Sequence, residues 1–173
     1  MDGLVDALRK HPEQIAVRID RDEMRPGDLI SAFMNRLAAA DRVIVVISAK
    51  YLRSEYCMYE LFKIYQNCRN KAEDFQRRII PVILPDSGLS GRTAERFMPA
   101  IYWIKEEEEL EAMIAANLKA VGISIHMKYR LIGEFARNTS DMIEYLYDQL
   151  QPRDYDRQME ESFTELCEQI LTD

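Results

Sequence analysis

A run of branched apolar residues followed by an amphipathic segment constrains this chain more than any other feature. Residues 43–47 are Val-Ile-Val-Val-Ile, which is typical of a parallel strand covered on both faces. Ser48 ends the run, and Ser54 is a predicted N-cap for a helix that starts with Glu55. Apolar residues then recur at helical spacing, namely Cys57, Met58, Leu61, Ile64, Tyr65 and Cys68. Glu60 lies at the edge of this stripe, near the carboxyl end of the strand, where open α/β sheets usually bind ligands.

The rest of the chain alternates between helical and strand patterns. Strands are predicted at residues 15–19, 43–47, 79–84 and 100–104, and helices at residues 3–10, 29–40 and after Ser54. This alternation implies a parallel sheet with right-handed crossovers. The acidic residues 106–109 are expected to open another helix, and helices are predicted beyond Gly122 at residues 127–137, 141–149 and 156–171. We therefore predict an α/β fold with a helical C-terminal extension.

The composition is that of a soluble, acidic protein. Its 173 residues are enough for one well-cored domain with a helical appendage. A net charge of -7 disfavours nucleic acid or an anionic membrane as the main partner. Cys57, Cys68 and Cys167 are an odd set without CxxC spacing, so we expect neither disulfides nor a metal site, and a cytoplasmic location fits. No apolar run is long enough to span a bilayer, and no signal-peptide pattern is present.

Three segments of the sequence, taken in order, carry a family resemblance. They are RIDRDEMRPGD at residues 18–28, SAKYLRSEYCMYEL at residues 48–61 and RRIIPVIL at residues 77–84. Together they resemble the Toll/interleukin-1 receptor (TIR) domains, especially bacterial ones. The resemblance implies a flavodoxin-like, three-layer α/β/α fold with a mostly parallel sheet, and it makes residues 20–28 the BB loop. We accordingly expect a TIR domain over residues 1–125 and a helical part, packed on the same domain, over residues 126–173.

The first strand of the expected fold has no counterpart in this sequence. A TIR domain normally begins with a strand in the middle of its sheet, whereas this chain starts at the helix that should follow it. An empty central position would leave backbone groups unpaired, each costing about 1–3 kcal/mol if buried. We expect the natural protein to extend further toward the N-terminus. Two alternatives are that residues 15–19 pair directly with residues 43–47, or that a second copy supplies the missing edge.

The resemblance also implies a chemistry, the hydrolysis or cyclisation of NAD+ at the ribose–nicotinamide bond. Nicotinamide leaves as a neutral group, so the reaction needs a carboxylate that stabilises oxocarbenium-like charge more than it needs a strong acid. Glu60 matches the catalytic glutamate of the family, and Tyr56 takes the place of a common Trp. The residues implied to border the nucleotide are Asp20, Arg25, Ser48 and Tyr51, together with Tyr56. No cofactor is expected beyond NAD+ as the substrate.

Each candidate residue also has a purely structural interpretation. Glu60 could pair with Lys63 or Arg53 on the helix surface. Ser48 and Ser54 are equally well explained as helix caps. Asp20 and Asp22 suit turns, and Tyr51 and Tyr56 suit the core or its rim.

Three functions from different classes are compatible with the sequence. The first, implied by the resemblance, is an NAD+ nucleosidase activated by self-association in signalling or defence; in the family, the cleft is often completed by the BB loop of a neighbouring copy. The second is a non-enzymatic module that makes TIR–TIR contacts through residues 20–28. The third is a phosphoacceptor receiver, because RIDRDEMRPG superficially resembles a strand-end Asp followed by Met-x-Pro-Gly. A receiver requires a Lys at the end of a later strand, and only Lys105 is available, so this function ranks last.

Overall fold

A parallel pair of strands lies at the centre of the described structure. The computed structural model describes residues 2–9, 37, 40, 42–69 and 71–148. Strand β1 (Val43–Ile47) pairs in parallel with strand β2 (Ile79–Ile83), and Val45 lies opposite Pro81. Both predicted strands are confirmed. Each is an uninterrupted apolar run, and alternate residues of β1, namely Val43, Val45 and Ile47, are buried. The predicted strand at residues 15–19 lies outside the described residues, so the three explanations of the first strand remain predictions.

Helices make up most of the remaining described structure. They are α1 (Asp2–Arg9), α2 (Ala49–Leu52), α3 (Glu55–Asn67), α4 (Ala72–Arg78), α5 (Thr93–Arg96), α6 (Met98–Ala116) and α7 (Ile123–Asp148). Two 3-10 turns lie at Pro85–Ser87 and Leu118–Ala120. The helices predicted at residues 3–10 and after Ser54 are confirmed as α1 and α3. The BB loop, most of the predicted helix at 29–40 and the predicted helix at 156–171 lie outside the described residues.

The hydrophobic core joins the sheet to α3, α6 and α7. Aromatic rings meet there edge to face, with centroids 6.0 Å apart for Phe62 and Phe135 and 5.0 Å apart for Trp103 and Phe135. Tyr65 and Phe75 make a similar contact at 5.3 Å, which brings α4 into the same core. These contacts hold the long helices against the strand-end region described below.

The predicted strand at residues 100–104 is wrong, because this segment is the first part of helix α6. Pro99 occupies the first turn of that helix, where its missing N–H costs nothing. Ala100 and Trp103 are buried while Ile104 is exposed, so burial follows helical spacing. The acidic residues 106–109 consequently lie in the middle of α6 and do not begin a helix. Lys105 is an exposed helical residue, which removes the strand-end Lys that a receiver requires.

The two helices predicted at residues 127–137 and 141–149 form one continuous helix, α7. The polar residues between them do not interrupt it, and the side chains of Asn138 and Thr139 bond back to the preceding turn. Thr139 Oγ1 donates to the carbonyl of Phe135 at 2.7 Å, and Asn138 Nδ2 donates to the carbonyl of Glu134 at 2.8 Å. The buried stripe of α7, including Phe135 and Met142, then runs without a break across this point.

The described fold is therefore α/β, with a parallel sheet and a large helical complement toward the C-terminus. Helix α7 packs on α6, α3 and α4. The division at residues 125 and 126 remains a prediction. Within the described residues, no helix combines the length and the apolar character needed to cross a membrane.

Candidate functional site

The carboxyl end of β1 leads into two successive capped helices. Ser48 Oγ accepts a hydrogen bond from the backbone N–H of Tyr51 at 3.1 Å and so caps α2. Ser54 Oγ accepts from the N–H of Cys57 at 3.4 Å and caps α3. The capping role proposed for both serines is thus observed. These caps fix the direction in which α3 leaves the sheet edge.

Glu60 lies in the second turn of α3, half-buried, and Tyr51 is half-buried in α2. Burial raises the pKa of Tyr51 well above its usual range, and the Glu60 carboxylate and the Cys57 thiol raise it further. The Glu60 carboxylate and the Tyr51 phenol therefore lie within electrostatic reach of each other. The structure thus brings two of the residues that the sequence selected within electrostatic reach, and their role remains a prediction.

Two cations that could pair with Glu60 on the helix surface have other contacts. Lys63 Nζ donates to Gln66 Oε1 at 3.2 Å and lies 5.3 Å from the centroid of the Tyr59 ring. The Arg53 guanidinium lies 5.8 Å from the centroid of the Tyr102 ring. These contacts give both side chains partners other than Glu60.

The remaining predicted site residues are less closely gathered. Ser48 adjoins Tyr51 through its cap, but its hydroxyl is already engaged there. Tyr56 is 64% exposed and so does not line an enclosed pocket within the described residues. Asp20 and Arg25 lie outside the described residues.

An open depression of about 540 Å³ lies at the same edge of the sheet. It is lined by Ala49, Lys50, Arg53, Ser54 and Asp86. Asp86 follows β2 and accepts a hydrogen bond from the N–H of Ala49 at 3.4 Å, which joins the ends of both strands. The sequence analysis missed Asp86, although its place just after a predicted strand was a usable signal, because the carboxyl ends of parallel strands share one edge.

Trp103 connects helix α2, at the end of β1, to the hydrophobic core. Its indole Nε1 donates to the backbone carbonyl of Leu52 at 2.9 Å, and both residues are buried. Leu52 is the last residue of α2, the helix that carries Tyr51. The bond thus ties the site to helix α6.

The described fold is α/β, with half-buried polar groups at the carboxyl ends of its parallel strands, the edge at which open α/β sheets usually bind ligands. Comparison with protein families gives a match to the TIR domain model over residues 1–114. The chain therefore belongs to the TIR domain family. The comparisons found no match among curated proteins and none among solved structures.

Proposed function

We propose that this TIR domain cleaves the ribose–nicotinamide bond of NAD+, with Glu60 as the catalytic carboxylate. The observation that carries the proposal is that Glu60 is half-buried in helix α3, which follows β1 and α2, and lies within electrostatic reach of Tyr51. A carboxylate that is partly removed from water interacts more strongly with developing positive charge than one on an open surface. In signalling or defence in the cytoplasm, such cleavage would consume the dinucleotide once copies of the domain assemble.

In this mechanism, Glu60 stabilises the oxocarbenium-like ribose as the bond to nicotinamide lengthens, by charge and by hydrogen bonds to the ribose hydroxyls. Nicotinamide takes the bonding electron pair and departs as a neutral molecule. Water or an intramolecular nucleophile then attacks the ribose carbon. Lys50 and Arg53 line the depression at the carboxyl ends of the strands, together with Asp86, and we assign their two positive charges to the diphosphate of the substrate.

The test is nicotinamide release by the purified chain at high concentration, comparing wild type with Glu60→Gln. We expect Glu60→Gln to reduce turnover at least about 100-fold, a typical loss when a transition-state stabiliser is removed. Glu55→Gln is the matched control, since Glu55 starts the same helix and makes an ion pair with Lys128 at 3.1 Å on the surface. Circular dichroism should show the same helix content in all three proteins.

Equal turnover by wild type and Glu60→Gln would contradict the assignment of the catalytic residue. No turnover by clustered wild type would contradict the activity itself. Equal losses in Glu60→Gln and Glu55→Gln would point to a defect of helix α3 and would also remove the support for Glu60.

A non-enzymatic TIR–TIR interaction module is the second candidate function. It is favoured by Tyr56, whose 64% exposure suits a protein contact better than a stacking platform inside a cleft. In this case Tyr56→Ser would weaken self-association in sedimentation experiments, whereas Glu60→Gln would leave it unchanged.

A further inference from the structure

Helix α6 contacts the end of helix α2 and the residue after it through two neighbouring aromatic side chains. The Trp103 indole donates to the carbonyl of Leu52 at 2.9 Å. The Arg53 guanidinium, one residue further along the chain, lies 5.8 Å from the centroid of the Tyr102 ring, within the range of a cation–π interaction. Two successive residues of α6 thus hold two successive residues of the segment that leads into α3.

Other contacts within α6 limit the movement of the Tyr102 ring. It meets the Trp103 ring edge to face, with centroids 5.1 Å apart and an interplanar angle of 81°. Burial raises the pKa of the Tyr102 phenol, and the charge of the Glu106 carboxylate and the hydrogen bond that this carboxylate accepts raise it further. Glu106 lies one helical turn after Tyr102, so the hydrogen bond is made along α6. The ring is therefore held beside Arg53 from two sides.

Arg53 keeps its positive charge uncompensated. Within the described ranges it makes no ion pair, and the Tyr102 ring is its partner. The acids closest to this contact have partners of their own, since Glu55 pairs with Lys128 at 3.1 Å and Glu106 accepts from Tyr102. A neutral ring holds a guanidinium without cancelling its charge, whereas a carboxylate would neutralise it. Arg53 can therefore attract an anion.

The depression at the carboxyl ends of the strands is where this charge can act. Arg53 lines it together with Lys50 and Asp86, and Asp86 accepts from the backbone N–H of Ala49. A guanidinium binds phosphate oxygens through parallel N–H donors, which requires a defined plane as well as a charge. Arg53 is exposed, and a long exposed side chain loses rotamer freedom when it binds a ligand. A ring that already restricts the guanidinium reduces that loss.

We propose that Tyr102 is a positioning residue, whose ring holds the Arg53 guanidinium in the orientation that binds the diphosphate of a dinucleotide in the depression. This role rests on the proposed function, in which Lys50 and Arg53 bind the diphosphate of NAD+. Helix α6 then takes part in substrate binding through a side chain that acts on Arg53 and not on the substrate itself.

The experiment measures the Kd of ADP-ribose for the full chain by isothermal titration calorimetry. ADP-ribose contains the diphosphate and lacks the bond that the proposed reaction cleaves, so binding is measured without turnover. We expect Arg53→Gln to raise the Kd at least about tenfold, because charge-assisted hydrogen bonds are lost. Tyr102→Leu should raise it about two- to fivefold, the equivalent of a cation–π contact near the surface. Tyr102→Phe keeps the ring and should stay within about 1.5-fold of wild type.

A double-mutant cycle separates positioning from a general structural effect. Since Tyr102 acts through Arg53, adding Tyr102→Leu to Arg53→Gln should change the Kd by less than about 1.5-fold. A substitution that only disturbed the packing of α6 would weaken binding by a similar factor in both backgrounds.

Tyr59→Leu is the matched control. Tyr59 is also half-buried, and its ring lies 5.3 Å from Lys63 Nζ. Lys63 is not among the described residues that line the depression, so the Kd should stay within about 1.5-fold of wild type. The emission maximum of Trp103 should be the same in all variants, which checks that its bond to Leu52 is kept.

Three results would overturn the role of Tyr102. They are no binding of ADP-ribose to wild type up to about 1 mM, equal effects of Tyr102→Leu and Tyr59→Leu, and a full effect of Tyr102→Leu in the Arg53→Gln background.

Binding and catalysis can fail separately. Nicotinamide release that requires Glu60, with a Kd that ignores Tyr102→Leu, would keep the catalytic assignment and overturn the positioning role. The expected series of Kd values without any nicotinamide release would support the positioning role in a domain that binds the dinucleotide and does not cleave it.

Discussion

Glu60 acts electrostatically on Tyr51, and this coupling can be measured at the level of single groups. Burial first, and the Glu60 carboxylate second, oppose ionisation of the Tyr51 phenol. We predict that Glu60→Gln lowers the pKa of Tyr51, because one negative charge is removed while the burial remains. NMR of Cζ-labelled tyrosine would follow the titration. An unmoved pKa would show that the two side chains are not neighbours.

The same shift predicts how stability depends on alkaline pH. The folded-state pKa of Tyr51 lies above the unfolded value of about 10, so the folded chain holds its proton longer and stability falls as pH rises beyond that value. Tyr51→Phe should therefore lose less of its free energy of unfolding between about pH 8 and pH 11 than wild type does. Urea denaturation at both values measures the difference, with Tyr56→Phe as an exposed control.

At the scale of elements, Gly133 lies inside helix α7, where the helical backbone does not require a glycine. An added Cβ would meet only the ends of the flexible Glu107 and Arg137 side chains, which can move aside. Because glycine is about 1 kcal/mol worse than alanine inside a helix, we predict that Gly133→Ala raises the free energy of unfolding by about 0.5–1 kcal/mol. Gly133→Leu should lower it, since a larger side chain would have to displace α6.

The elements that sequence patterns predicted correctly are those with one dominant signal. Strands β1 and β2 are unbroken apolar runs, and α3 has a serine cap and a clear apolar stripe. Residues 100–104 were misassigned because a short run of apolar and aromatic residues is compatible with either structure. In the structure the segment is helical, and the buried Trp103 bonds to the carbonyl of Leu52, a tertiary contact that no local pattern contains. The polar residues 138–140 likewise do not break α7, in which the Thr139 hydroxyl bonds back to the carbonyl of Phe135.

At the scale of the whole molecule, Trp103 links the core helix α6 to the strand-end region. Trp103→Phe keeps most of the ring but leaves the buried carbonyl of Leu52 without its donor. We predict a loss of about 1–3 kcal/mol in the free energy of unfolding, the usual cost of an unsatisfied buried group. Tyr102→Phe, at the adjacent half-buried position, should cost less than about 1 kcal/mol. Comparable losses of free energy in the two variants would show that the indole hydrogen bond contributes no more to stability than the Tyr102 hydroxyl does.

The roles of the site residues remain predictions, but part of their placement could be expected from the sequence. Ser48, Tyr51 and Glu60 lie within a short continuous stretch after β1, so local pattern alone indicates the capping of α2 by Ser48 and the position of Glu60 in the following helix. Asp86 belongs to the next strand along the chain, and its approach to Ala49 depends on the pairing of β1 with β2. The exposure of Tyr56 depends on how α3 is rotated against the core, which its sequence position does not determine.

The Trp103 bond to Leu52 has a practical consequence, because the chain contains a single tryptophan. All of its long-wavelength fluorescence comes from an indole that is 1% exposed and held against the backbone beneath Tyr51. Emission should therefore be blue-shifted in the native protein, and it should move to the red when the region around α2 opens to solvent. The chain thus carries an intrinsic optical reporter at the base of its candidate site, without any added label.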